Sequence, residues 1–271
     1  MASYLIEKHN VADSRACRLM RLSRSVFAYK ARLNDDNSIA NRLKELAEKH
    51  KRYGFRKIFH KLKAAGFTWN HKRVYRIYCV LQLNLKRKPK KRLSKREKIP
   101  LEVPKMMNQS WSLDYMSDAL MNGKKFRTVN VIDDCNREVL GIKASRSIPS
   151  QHVIQFLDDI ASQRGYPQQI RVDNGPENRS KVIKKWAKTH NLQLQYIQPG
   201  KPAQNAYIER FNRTYREEIL DMNLFESIQE VQFLTDQWIN EYNSERPHHS
   251  LENLTPHEYL KKNNISTFEL H

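Results

Sequence analysis

Positive charge in this sequence is gathered into one stretch. Of a formal net charge of +20 over 271 residues, +18 is carried by residues 42–98. The rest of the chain is close to neutral, as an ordinary globular domain would be, so the sequence divides into a basic N-terminal part and a larger neutral part. The densest piece is KRKPKKRLSKREK, Lys86 to Lys98, with nine basic residues and one acid. It contains Pro89, is followed by Pro100 and Pro104, and has neither a helical nor an alternating apolar pattern. Residues 86–107 are therefore expected to be an extended, solvated linker. Such a block repels itself, and counterion release on binding a polyanion offsets that cost. Nucleic acid is the expected partner; a membrane surface would need an apolar face that 86–98 lacks.

Apolar residues make up 39% of the chain, including 10 Phe, 12 Tyr and 4 Trp, which is enough for a core and argues against wholesale disorder. The seven glycines never come closer than ten positions, which excludes G-x-G-x-x-G and G-x-x-x-x-G-K phosphate cradles. Cys17, Cys79 and Cys135 are too dispersed for a zinc set or a disulfide framework. Apolar runs are far shorter than a membrane span, and Glu7, Lys8 and His9 stand where a signal peptide needs apolar residues. A reducing cytosol is the expected compartment.

The basic part reads as helices. Ile39, Leu43, Leu46 and Ala47 share one face of a helix from Ser38, and Phe55, Ile58, Phe59 and Leu62 share a face of the next, closed by Gly66. Asn70 can cap HKRVYRIYCVLQL, whose apolar face is Val74, Ile77, Tyr78 and Leu81. His71, Lys72, Arg73 and Arg76 project away from that face. Two short helices with basic residues leading the second describe a helix-turn-helix. An earlier pair, DSRACRLMRLSRSVFAYKAR, has Ser14 and Ser23 as possible caps.

Past Pro104 the pattern becomes mixed α/β. Strands are expected at 110–116, 125–134, 138–145, 168–173 and 192–197, and helices at 150–165, 179–190 and 204–221. Asp114 falls mid-strand, an expensive place for a charge unless it is paired or metal-bound. Asp173 ends the fourth strand at the turn RVDNGPEN. On the last helix Ile208, Phe211, Tyr215 and Ile219 form a buried stripe, with Asn205, Glu209, Asn212, Arg213 and Arg216 beside it. Carboxylates from two strands and a helix suit a pair of Mg ions, which take oxygen ligands and activate both oxygens of a phosphodiester displacement. Asp118, Asp133 and Asp134 are rivals for the strand positions.

Thirty-five residues separate Asp173 from Glu209. With that spacing, the stretches YGFRKI, KRVYRI, WSLDYM, VIDDCNREVLG, RVDNGPEN, QPGKPAQNAYIERFNRTYREEIL and NSERPHHSLENLTP resemble the retroviral-integrase-type DDE recombinases. The closer resemblance is to the catalytic subunit (OrfB) of bacterial insertion-sequence transposases. It implies a ribonuclease-H-like fold, Asp114, Asp173 and Glu209 as metal-binding catalytic residues, and Arg216 as a contact to the DNA end. Two departures stand out. The cysteines cannot build the N-terminal His₂Cys₂ zinc module of retroviral integrases, and Tyr-Met-Ser follows Asp114 where Asp-x-Thr-Tyr is more usual.

The expected organisation is an N-terminal helical segment (1–37), a helix-turn-helix (38–85), the basic linker (86–107), the catalytic core (108–221) and a helical extension (222–271). The expected activity is cleavage of element ends and joining of the 3′-OH to target DNA with two Mg (or Mn) ions and no covalent protein–DNA intermediate. His71, Lys72, Arg73 and Arg76 are candidate base contacts. Lys86, Arg87, Lys88, Lys90, Lys91 and Arg92 are expected on phosphates, and Lys201, Arg213 and Arg216 beside the acidic trio. Double-stranded DNA, further copies of the chain in a synaptic complex and a subunit from an upstream reading frame are the expected partners; no membrane is. His248 and His249 are expected to fold back on the core or touch DNA rather than bind metal. The alternatives are a ribonuclease-H-fold nuclease or resolvase that does not join strands, and a non-enzymatic helix-turn-helix regulator.

Overall fold

The computed structural model describes residues 1–29, 36–85, 104–197 and 205–263. It falls into two compact units, Met1–Arg42 and Leu43–His271. The first unit holds helices α1 (Ala2–His9), α2 (Asp13–Leu19) and α3 (Arg24–Phe27), and α4 (Asp36–Lys49) begins in it. Ser23 caps α3, its hydroxyl accepting from the Val26 N–H at 3.2 Å. Ser14 does not cap α2. That helix starts two residues earlier than a Ser14 cap would place it, behind Ala12, with Asp13 in its first turn. Helix α1 precedes the pair expected from the sequence.

In the second unit, α5 (Phe55–Ala64) and α6 (His71–Val80) form the helix pair. Gly66, at φ +88°, closes α5: its own N–H bonds the Lys63 carbonyl, and the Phe67 N–H reaches back to Leu62 at 3.1 Å. The Asn70 side chain accepts from the Lys72 N–H at 2.8 Å and starts α6. Ile58 and Leu62 from α5 and Val74, Ile77 and Tyr78 from α6 are buried, as their spacing predicts. His50–Glu241 (3.0 Å) and Lys61–Glu245 (2.6 Å) tie this helical region to the C-terminal part of the unit.

The remainder is a five-stranded sheet of β1 (Ser110–Ala119), β2 (Lys125–Asp133), β3 (Val139–Ser145), β4 (Gln169–Val172) and β5 (Gln193–Tyr196). The order is β3-β2-β1-β4-β5. The first three strands pair antiparallel, and β4 and β5 add in parallel beside β1. Helices α7 (Ser150–Arg164), α8 (Pro176–Arg179), α9 (Lys181–Thr189), α10 (Ala206–Glu218), α11 (Ile228–Ser244) and α12 (Pro256–Asn263) complete it.

Strand alternation sets the two cores. Trp111, Leu113, Val129 and Val131 point to one face and pack with Val153, Leu157, Ile183 and Trp186 of α7 and α9. Phe126, Ile132, Val139 and Ile142 contribute to the other core, with Ile208, Phe211 and Tyr215 of α10 and Val231 and Trp238 of α11. The expected helix at 179–190 is α9, which starts after the extended Ser180 and is capped by its hydroxyl, and the short α8 precedes it. The helix expected to reach Asp221 ends at Glu218, and Leu220–Met222 continues as a 3₁₀ turn. No helix among the described residues is long and apolar enough to cross a membrane.

Candidate active site

Asp114 lies in the centre of β1, the middle strand of the sheet, opposite Asn130 of β2. Alternation sends Ser110, Ser112 and Asp114 to one side of the strand, and Asp114 meets a side chain of α10 there. Asn212 donates through Nδ2 to Asp114 Oδ2 at 2.8 Å and accepts through Oδ1 from Asn130 Nδ2 at 2.7 Å. The Tyr115 N–H bonds Asp114 Oδ1 at 2.8 Å. One carboxylate is thus oriented by a backbone donor and a two-amide relay crossing from β2 through α10.

Asp173 follows β4 at the turn before α8. Its Oδ1 accepts from the Gly175 N–H at 2.9 Å and from Asn178 Nδ2 at 2.7 Å. The fully buried Asn178 in turn accepts from the Tyr115 hydroxyl at 3.1 Å, which links the Asp173 turn to the residue next to Asp114. A side chain at Gly175 would run into this arrangement, since its Cβ would come within 2.9 Å of Asp173 Oδ1 and 3.0 Å of Glu177 Oε2. Glu209 is exposed in the first turn of α10, whose stripe Ile208, Phe211 and Tyr215 is buried as expected.

Electrostatics joins the three carboxylates. The Asp114 pKa is pushed up to about 6, chiefly by burial, and the charges of Asp173 and Glu209 both raise it further against the hydrogen bonds from Tyr115 and Asn212. All three supply hard oxygen donors of the kind Mg takes. Among the described residues, no three His, Cys, Asp or Glu side chains stand together as a preformed metal cluster. The donor chemistry suits a divalent cation even though the three are not preassembled, and Asp114 is a partly buried charge opposed by two like charges that a cation would compensate.

The rival acids are used differently. Asp134 is fully buried and pairs with Arg171 at 2.8 Å while accepting from the Ser110 and Ser112 hydroxyls. Asp133, equally buried, accepts from the backbone of Asn108 and Cys135 and faces Arg164 at 3.5 Å. Asp118 binds Arg216 at 3.2 Å. Arg216, expected to reach DNA, is held by that carboxylate and by the Ser117 carbonyl at 2.9 Å. Arg213 is exposed one turn after Glu209.

Of the expected base contacts, His71, Lys72 and Arg76 are exposed on α6 and Arg73 is half-buried. The His71 ring also packs edge-on against Phe55 and Phe59. Lys86, Arg87, Lys88, Lys90, Lys91, Arg92 and Lys201 lie outside the described residues. Sequence reasoning missed Asn130 and Asn178 and placed Asn212 only on a polar face. Asn178, within RVDNGPEN, and Asn212, three after Glu209, offered a signal in their proximity to the acids, while Asn130 offered only its place in a strand.

Comparison with known proteins agrees with this architecture. Family profiles described as "Integrase core domain" match residues 104–202 and 190–256, and one described as "HTH-like domain" matches residues 34–92. The 31.7 kDa protein of insertion element IS407 from Burkholderia multivorans is 38% identical over 261 residues, covering 96% of this chain and 94% of its own length. Transposase InsD for insertion element IS2D of Escherichia coli is 25% identical over 249 residues, covering 86% of this chain and 81% of its own. A chain of the simian T-cell lymphotropic virus intasome, solved in complex with PP2A regulatory subunit B56 gamma, superposes with a TM-score of 0.50 at 16% identity. The match covers 80% of this chain and 73% of that one and shows a shared fold. The chain belongs to the integrase-core family of insertion-element transposases.

Proposed function

We propose that the protein is a DDE-type polynucleotidyl transferase that cleaves the ends of an insertion element and joins the freed 3′-OH to target DNA. The observation that supports this reading is the placement of Asp114 in the middle of β1, Asp173 just after β4 and Glu209 in the first turn of α10, in a chain whose core matches the integrase family. Asp114, Asp173 and Glu209 would hold two Mg or Mn ions. Bound there, such ions supply Lewis acidity to a phosphodiester and lower the pKa of an attacking hydroxyl. The chain's own residues orient the ligands. Asn212, steadied by Asn130, fixes one Asp114 oxygen, while Asn178 and the Gly175 N–H fix Asp173. No Ser or Tyr nucleophile enters the scheme.

Double-stranded DNA is the substrate in this reading. α6 offers His71, Lys72, Arg73 and Arg76 to the bases, the basic segment with Lys86, Arg87, Lys88, Lys90, Lys91 and Arg92 follows phosphates, and Lys201, Arg213 and Arg216 serve the DNA end. Arg216 would exchange Asp118 for a phosphate. Synapsis of two ends calls for more than one copy, and a subunit from an upstream reading frame is a further proposed partner. The proposed site of action is the bacterial nucleoid. The functional boundaries proposed are 38–85 for end recognition and 108–221 for chemistry, with 86–107 linking them, 1–37 as an N-terminal helical segment and 222–271 as an extension of the core.

The test offers element ends already carrying a free 3′-OH to the full chain with Mg and target DNA. Joined products are expected, and Glu209→Gln should abolish them while leaving DNA binding within about twofold of wild type. Joining that persists in Glu209→Gln refutes the assignment, and cutting without joining of pre-cleaved ends makes the protein a nuclease instead.

A further inference from the structure

A cavity of about 790 Å³ opens between the start of α5, the side of α10 turned away from Asp114 and the segment after α11. It is lined in part by stretches that the acidic site does not use: GFRK at 54–57 and RPHHS at 246–250. Its lining includes Arg56, Lys57, Arg137, Arg210, Arg246 and His248 and, among the described residues, no Asp or Glu. Arg246 is neutralised beside the cavity. It is buried in an ion pair with Glu218, its guanidinium 5.2 Å from the centres of the Tyr53 and Tyr242 rings.

The remaining groups are arranged as an anion site would need. The Arg137 guanidinium lies 3.4 Å from the centre of the Tyr207 ring, so it is already fixed, and its Nη1 is buried without a hydrogen-bond partner among the described residues. His248 Nε2 is likewise buried and unpartnered. Burial and the charges of Arg246, Lys57 and Arg137 hold His248 neutral, leaving it one ring N–H to donate. Burial pushes Lys57 down to about 7, with Arg246 and Arg210 lowering it further and Glu218 and Glu217 opposing them. The first turn of α5, which no side chain caps, also lines the opening. Two buried polar nitrogens without partners among the described residues, Arg137 Nη1 and His248 Nε2, in a cavity lined by cations are costly unless a ligand satisfies them.

We propose that this cavity binds a phosphate group of a nucleic-acid strand, with Arg137, Arg210 and Lys57 supplying charge, His248 a directional donor, and Tyr207 an aromatic face beside it. The proposal rests on the reading of the protein as DNA-acting, but concerns a site other than the carboxylates. α10 then serves two places at once. Tyr207, Arg210 and Thr214 line the cavity at helical spacing, while Asn212 and Arg216 engage β1 residues from the opposite side of the helix.

The test measures binding of a short fluorescein-labelled single strand to the full chain by anisotropy across a salt series, without divalent ions. Arg210 is exposed, so Arg210→Gln leaves the fold intact; Arg137→Gln is added, with melting curves as a folding control. Each variant is expected to weaken binding about tenfold at low salt and to reduce the salt slope by about 0.7 for each phosphate that it no longer neutralises. Inorganic pyrophosphate, tested as competitor, should displace the strand only weakly. Unchanged affinity and slope in Arg210→Gln and in the folded double variant overturn the proposal while leaving the carboxylate site untouched. Tight pyrophosphate binding that the variants abolish, with strand affinity unaltered, would make this a site for a free anion and also overturn it. A wild-type chain that binds no single strand overturns this proposal alone, and one that binds neither single strand nor duplex overturns the DNA-acting reading as well.

Discussion

Asp114→Asn in the absence of divalent cations isolates the electrostatic cost of the proposed site. The side chain ordinarily titrates at 3.8 and is raised to about 6 in the folded protein. Between those values the folded chain keeps a proton that the unfolded chain releases, so this residue's contribution to stability falls as pH rises through the window. Below it there is no cost. Above pH 6 the cost is complete, on the order of 3 kcal/mol. The asparagine preserves the shape and accepts from the Tyr115 N–H. It would also present a donor to Asn212, but Asn130 Oδ1 is buried without a partner among the described residues. Turning the Asn212 and Asn130 amides therefore rebuilds the relay with one buried polar atom unpaired, as before.

The variant should thus melt roughly 6–12 °C above wild type at pH 8 in EDTA, given about 2–4 °C per kcal/mol for a chain of this size. The difference should shrink towards zero as the pH is lowered from 6 to 4. Differential scanning fluorimetry across that range checks it, since other buried acids such as Asp133 titrate alike in both proteins. An equal shift at pH 4 and pH 8, or a variant less stable than wild type at pH 8, would refute the reasoning.

Other perturbations separate structure from chemistry. Arg171→Met leaves the fully buried Asp134 charge without its partner and should cost about 3–5 kcal/mol, read from urea denaturation at pH 7. Phe211→Ala empties the core under α10 and should cost about 3–5 kcal/mol in the same measurement. Lys72→Gln on the exposed face of α6 should lower the salt slope of duplex binding by about one without changing the melting temperature, if it holds a phosphate. Asn212→Leu should reduce strand joining at least tenfold through loss of Asp114 orientation, with duplex affinity retained.

Much of this architecture was legible where local chemistry decides it. Gly66 and Asn70 mark helix ends because a left-handed residue and a side-chain acceptor are needed there whatever surrounds them. The stripe Ile208, Phe211 and Tyr215 and the alternation of β1 define buried faces in the same way. What was hidden depends on partners far along the chain. Asp133 and Asp134 rival Asp114 by strand position alone, and their pairing with Arg164 and Arg171 is visible only in the fold. Asn130 and Asn178 carried no mark of burial, since polar side chains are drawn inward only when a distant acceptor or donor waits. The phosphate-site residues Lys57, Arg137, Arg210 and His248 come from four separate segments, and only the fold assembles them. Ser14 failed as a cap because Asp13 took the first helical position.

The most direct test of the carboxylate site is Mn²⁺ binding followed by electron paramagnetic resonance, with the full chain compared against Asp114→Asn, Asp173→Asn and Glu209→Gln. The account predicts saturable binding in the wild type and marked weakening in each folded variant, Asp134 remaining in its pair with Arg171 throughout. Equal Mn²⁺ affinity in all four proteins would contradict it.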